Sequence, residues 1–154
     1  MTGVAEGLLL ACGGFLLAVL WMDLIFDSQV RTAPDGQLPA PVLSSIAAYY
    51  RRATTTSRPM SRLIATVMVV LLGALVFQGV TGDDPMWLTA ASALLAAAPI
   101  ALAGIRTVPN AVRLGRSRDD ALEQSRLVRS IYRDHVVCFV SIMLFLVLRL
   151  SAVW

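Results

Sequence analysis

Two aspartates, Asp23 and Asp27, stand four residues apart at the end of a long apolar run. A spacing of four places both carboxylates on one face of a helix. Three further polar residues lie where other apolar runs begin or end, at what should be the same level of the molecule: Arg106, Asn110 and His135. Together these side chains define a candidate polar pocket. Its carboxylates and imidazole could bind a metal ion, or polarise a small ketone or phenol while His135 moves a proton.

The same residues also have a purely structural interpretation, which the sequence favours. An acid one turn inside a membrane needs a partner, and Arg106 is the cation nearest in depth to Asp23. The two are therefore predicted to form a buried ion pair, with Asp27 and His135 as solvated helix ends. A metal site with one His and no nearby Cys is favoured least, so neither a metal nor a cofactor is predicted.

The residues of the candidate pocket must be positioned by helices that are long enough to cross a membrane. The chain has 154 residues, of which 57% are hydrophobic and 15% charged, whereas soluble domains carry about 25% charged residues. A bilayer core takes about 20 apolar residues as helix. We therefore predict a single membrane domain over residues 1–154, with four spans at approximately 8–26, 63–80, 87–105 and 136–153.

The distribution of arginine predicts how these spans are oriented. The chain has no Lys, and 12 of its 13 arginines lie between spans one and two or between spans three and four. Cytoplasmic loops carry such an excess, so both loops are predicted in the cytoplasm and both termini outside. Heavy use of Ala, Val, Leu and Arg suggests a high-GC bacterial genome, and hence a bacterial inner (plasma) membrane. Topology thus accounts for the net charge of +3, and nucleic acid is not an expected partner.

Two helices are predicted outside the spans. Pro41 suits a helix start, and the segment "VLSSIAAYYRR" that follows is apolar on one face. It predicts a short interfacial helix on the inner leaflet, or equally a helix that caps the bundle. From Ser117 onward no Gly or Pro interrupts the chain, which predicts a fourth helix that begins in the cytoplasm and continues as span four. The predicted fold is an all-α, antiparallel four-helix membrane bundle.

Two segments resemble the anthrone-oxygenase-like family of small bacterial membrane proteins, most of unknown function. "RTVPNAVRLG" is similar to the family's Pro-Asn turn after span three and places its Asn at Asn110. "RSIYRDH" is similar to the family's basic-aromatic-His entry into span four and places its His at His135. The resemblance implies a four-helix bundle of similar length with oxygenase chemistry. A basic residue that the family has shortly after the His is absent, since "HVVCF" follows here.

Three classes of function follow from these observations. The first is a non-catalytic accessory or assembly component, favoured because the chain lacks a specific catalytic motif; it would meet the lipid bilayer and either other membrane proteins or further copies of itself. The second is a small enzyme or binding protein of the anthrone-oxygenase-like type, acting on an aromatic or quinone-like molecule at the cytoplasmic leaflet. The third, an ion or proton carrier using Asp23, is weakest, because no acid lies at mid-membrane and the outer half lacks a polar route.

Overall fold

The computed structural model describes residues 2–33, 36–56, 58–82 and 84–153, and these residues contain no strand. The all-α fold is therefore confirmed. A 3-10 turn follows the first helix, and two π-helical turns, Arg52–Thr56 and Ala103–Thr107, precede the third and fifth helices. The α-helices are α1 (Thr2–Asp27), α2 (Ala40–Arg51), α3 (Arg58–Thr81), α4 (Met86–Leu102), α5 (Val108–Arg116) and α6 (Ala121–Val153).

Four helical segments are long and apolar enough to cross a membrane, and each overlaps one predicted span. The protein is thus a multi-pass membrane protein whose spanning segments are Gly3–Arg31, Pro59–Thr81, Met86–Arg116 and Ala121–Ala152. Helix α1 packs against α3 and α6, and α4 packs against the same two helices, so the four form a ring. Since Glu6 near the start of α1 contacts Arg149 near the end of α6, these two helices run antiparallel.

The bundle has two ends of different construction. We call the end that holds the start of α1 and the end of α6 the terminal end, and the opposite one the capped end. The capped end is covered by α2, α5 and the first three turns of α6, which together form the cap. One apolar core fills the bundle, around Leu9, Leu71 and Phe145. A second core fills the cap, around Ile46 and Ile131.

Helix α2 is held in the cap by its apolar face. Leu43, Ile46, Ala47 and Tyr50 are buried, and α2 packs against α5 and α6. Of the two predictions for this segment, the structure shows the capping helix. The single helix α6, 33 residues long, confirms the predicted extension of the fourth helix beyond its span, because its first turns supply Leu127 and the following apolar residues to the core of the cap.

Pro99 interrupts the hydrogen bonding of α4, and α6 compensates for it. Proline has no N–H, so the carbonyl of Leu95, four residues earlier, lacks its usual helical donor. The Ser141 hydroxyl on α6 donates to this carbonyl at 2.8 Å. A proline is tolerated inside a membrane helix when a neighbouring helix satisfies the freed carbonyl in this way.

Replacing Ser141 with Ala should therefore destabilise the bundle only while Pro99 is present. Side-chain hydrogen bonds between membrane helices contribute about 0.6 kcal/mol on average, with a maximum near 1.7. In a Pro99→Ala background the loss should shrink, because the restored N–H serves the Leu95 carbonyl. Unfolding in detergent measures both losses. Ser151→Ala, which removes an exposed bond within α6, is the matched control, and an equal loss in both backgrounds would refute this account of Ser141.

Candidate functional site

The candidate site lies where the two apolar cores meet, and three helices bring its side chains there. The end of α1 supplies Asp23 and Asp27, whose spacing of four directs both to one side of the helix. The end of α2 supplies the adjacent Tyr49 and Tyr50. His135 comes from α6, at the point where this helix passes from the cap into the bundle.

Asp27 is at the centre of this cluster. Its side chain is fully buried, with 0% exposure. The Tyr50 hydroxyl donates to Asp27 Oδ1 at 2.7 Å, and His135 Nδ1 lies 2.7 Å from Asp27 Oδ2. Both carboxylate oxygens are thus hydrogen bonded. The bond to Oδ2 makes Nδ1 the protonated nitrogen of the imidazole and directs Nε2 away from Asp27.

Asp23 lies on the other side of the imidazole. The Tyr49 hydroxyl donates to Asp23 Oδ1 at 2.6 Å, and the Tyr49 ring stacks on Phe26 with 4.1 Å between centroids. Asp23 Oδ2 faces His135 Nε2 at 3.9 Å, which is too long for a hydrogen bond. The imidazole is therefore oriented by one carboxylate and presents its free nitrogen towards the other.

Both tyrosines remain hydrogen-bond donors throughout the physiological pH range. Burial, followed by the negative charge of Asp23, raises the pKa of Tyr49. Burial, followed by the charge of Asp27, raises the pKa of Tyr50 well above its usual range. Neither residue was among those that the sequence predicted for the pocket. The sequence signal was two adjacent tyrosines on an amphipathic helix, but it points to the aspartates only once α2 is placed over α1.

The predicted ion pair between Asp23 and Arg106 is wrong, because Arg106 binds Asp134 instead. The guanidinium makes a bidentate contact, with Nη2 2.5 Å from Asp134 Oδ1 and Nε 3.0 Å from Oδ2. The Thr107 hydroxyl adds a third bond to Asp134 at 3.3 Å. Arg106 follows α4, which packs on α3 and α6, so the carboxylate within its reach is on α6.

The structure also differs from what was predicted for the other residues of the pocket. Asp27 and His135 are not solvated helix ends as expected, since they are 0% and 7% exposed. Asn110 lies half-buried on α5, and it takes no part in the hydrogen bonds that join the described cluster. The structure thus brings together Asp23, Asp27 and His135, places Arg106 beside them through the neighbouring Asp134, and leaves Asn110 outside.

A second ionic cluster, which the sequence did not predict, lies at the terminal end. Arg149 is 2% exposed. Its guanidinium binds Glu6 through Nε at 3.1 Å and also through Nη2, and it binds Asp84 Oδ2 through Nη1 at 2.7 Å. The apolar core around Leu9, Leu71 and Phe145 lies between this cluster and the capped end. Gln78 and Arg149 interrupt the apolar runs of spans two and four, and their depth, which Glu6 shares, was the available signal.

The side chains of the two clusters, as far as the structure describes them, are not arranged as a metal-binding group. Within the described parts of the chain no group of three or more His, Cys, Asp and Glu side chains is arranged to hold a metal ion. No family model, curated protein or solved structure matches the chain. Function is therefore inferred from the geometry of the two clusters. That of the capped end is suited to joining helices and to orienting His135.

Asp27→Ala should destabilise the protein more than Asp23→Ala. The first change removes the acceptor of two buried donors, Tyr50 and His135, and breaking a buried pair in this way costs roughly 3 to 5 kcal/mol. The second leaves one phenol without its acceptor, at a side chain that is 16% exposed and closer to solvent. Denaturant unfolding of both variants in the same detergent measures the difference. Equal losses, or a larger loss for Asp23→Ala, would contradict the central role of Asp27.

Proposed function

We propose that the protein is a non-catalytic accessory or assembly component of a bacterial inner membrane. The observation that carries this proposal is the complete hydrogen bonding of two buried carboxylates at the capped end, those of Asp27 and Asp134. Asp27 uses both oxygens within the cluster, and Asp134 is bound by Arg106 and Thr107. Groups that are saturated by one another have a structural role that is complete without a substrate.

That structural role is to fasten the cap. Each tyrosine at the end of α2 donates to a different carboxylate of α1, while His135 ties the second carboxylate to α6. Arg51 of α2 also donates to the carbonyl of Gly115 at the end of α5. These polar bonds have defined directions, so they fix the position of α2. Its apolar contacts are not directional and constrain that position less strictly. A rigid cap presents a constant surface to a protein partner.

The orientation that we propose places the cap in the cytoplasm and both termini outside. The positive-inside rule supports it, because the arginine-rich loops lie at the capped end. The single arginine of the terminal end, Arg149, is buried and bound by two carboxylates. It therefore offers no free positive charge that would oppose this orientation.

One observation favours a second candidate, a protein that binds or acts on an aromatic or quinone-like molecule at the cytoplasmic leaflet. His135 Nε2 and Asp23 Oδ2 face each other at 3.9 Å without a hydrogen bond, and the stacked rings of Phe26 and Tyr49 stand beside them. A phenolic hydroxyl placed there would meet both polar atoms. The resemblance of the segment before His135 to the anthrone-oxygenase-like family supports the same candidate.

His135→Gln separates the two candidates. A glutamine amide retains an N–H donor for Asp27 but removes the imidazole and the ring nitrogen Nε2 that faces Asp23. For an accessory component, the folded variant should still complement a deletion strain and co-purify with the same partners as the wild-type protein. Arg133→Gln, an exposed neighbour, is the control. A folded His135→Gln protein that fails to complement, or loses a bound small molecule, would favour the second candidate.

Cysteine accessibility in intact cells tests the orientation. Met86, at the start of α4, is 88% exposed at the terminal end, and Gln37 is exposed in the loop before α2. A membrane-impermeant maleimide should label Met86→Cys from outside and label Gln37→Cys only after the cells are lysed. The native Cys12 and Cys138 are both buried, so the wild-type protein serves as the background. The opposite pattern would place the cap outside.

A further inference from the structure

The last turns of α2 and α5 meet in the cap, and their backbones approach closely. A Cβ added at Gly115 would lie 3.0 Å from the Arg51 backbone nitrogen, so the contact depends on the missing side chain of Gly115. The side chain of Arg51 crosses the same contact, and its Nε donates to the Gly115 carbonyl at 3.1 Å. An arginine can satisfy a carbonyl at the end of a helix in this way. The guanidinium of Arg51 is thus anchored to the end of α5.

This anchor leaves the other edge of the Arg51 guanidinium available. Among the described residues, Nε is the one nitrogen of the three that takes part in a hydrogen bond, and the residue is exposed. Nη1 and Nη2 form a planar edge that can bind two oxygens of a phosphate at once. Because Nε already holds the guanidinium in place, binding costs less conformational freedom. Arg51 is therefore pre-organised for a phosphate.

Two further arginines add positive charge at this contact. Arg52 directly follows Arg51, and Arg116 is the last residue of α5; both are exposed. In the part of the chain that the structure describes, neither forms an ion pair with a carboxylate, and the first acid after α5, Asp119, is bound by Arg113. We call Arg51, Arg52 and Arg116 the basic site. Its charge requires an anion from outside the described chain.

The basic site lies at the level where the spanning segments end. Tyr50, directly before Arg51, donates to Asp27 in the last turn of α1. The π-helical turn that begins at Arg52 is followed, one residue later, by α3, whose spanning segment starts at Pro59. Lipid headgroups occupy this level of a bilayer. A phospholipid therefore brings its phosphate to the basic site, whereas an acidic protein segment would have to be delivered to the membrane surface.

We propose that the basic site binds the phosphate of an anionic phospholipid in the leaflet that surrounds the capped end. The free edge of the Arg51 guanidinium holds two phosphate oxygens, and Arg52 and Arg116 balance the negative charge. Phosphatidylglycerol brings negative charge alone, whereas phosphatidylcholine carries in addition an ammonium group that the arginines repel. This binding goes beyond the accessory role proposed above and does not depend on it.

Two synthetic lipids with the same acyl chains test this proposal. The full-length protein, purified in a mild detergent, is titrated with dioleoyl phosphatidylglycerol or with dioleoyl phosphatidylcholine, and bound lipid is counted by native mass spectrometry. The glycerol lipid should bind about tenfold more tightly, as expected for arginines that meet an anionic headgroup. Inorganic phosphate in millimolar excess should not displace it. Displacement would identify a site for free phosphate, and equal binding of the two lipids would also overturn the proposal.

Substitutions that remove one positive charge at different places separate the basic site from a general attraction. Arg51→Gln and Arg116→Gln should each reduce the preference for the glycerol lipid about fivefold. Arg133→Gln, on the exposed side of α6, changes the net charge equally and should leave the preference intact. Equal effects of Arg116→Gln and Arg133→Gln would refute a defined site. Arg116→Gln keeps the bond between Arg51 and Gly115, so it decides the question even if Arg51→Gln does not fold.

Arg51→Lys tests the pre-organised edge. Lysine keeps the charge but has neither the planar edge nor an Nε that can donate while two other nitrogens bind the phosphate. The preference for the glycerol lipid should therefore fall in Arg51→Lys as well. A lysine variant that binds both lipids as the wild-type protein does would overturn the assignment of the phosphate to this edge.

Discussion

The fully buried carboxylate of Asp27 is the interaction on which the capped end depends. A charge in this position is stable only when its oxygens are hydrogen bonded. Asp27 meets that requirement with Tyr50 of α2 and His135 of α6. One side chain of α1 therefore fixes two other helices, and through α2 it fixes the position of the cap. The need to satisfy a single buried charge thus determines how elements distant in sequence are arranged.

The same constraint operates at the terminal end with the signs reversed. There the buried group is a cation, Arg149, and the acids that satisfy it come from α1 and from the turn after α3. The bundle is therefore fastened by directional polar bonds at both ends, while an apolar core with Leu9 and Phe145 separates them.

The sequence alone was sufficient to predict the features that depend on a single helix. Runs of apolar residues predicted all four spans, and the absence of Gly and Pro after Ser117 predicted the long α6. It also placed Asp23 and Arg106 at the same end of the bundle. It failed on their pairing, because depth follows from position along a span, whereas the direction of a side chain around the bundle depends on which helices are neighbours. Without this information, Asp134, adjacent to His135 on α6, could not be identified as the partner of Arg106.

The two ionic clusters differ in how completely they are satisfied. At the capped end the acceptors of Asp27 are matched by donors from the protein itself, so the bonds stabilise one arrangement of helices. At the terminal end one acceptor, Gln78 Oε1, remains unpaired, and two carboxylates share one guanidinium. Around Asp27, the first cluster is complete within the fold. At the second cluster, the described side chains leave one buried acceptor without a donor.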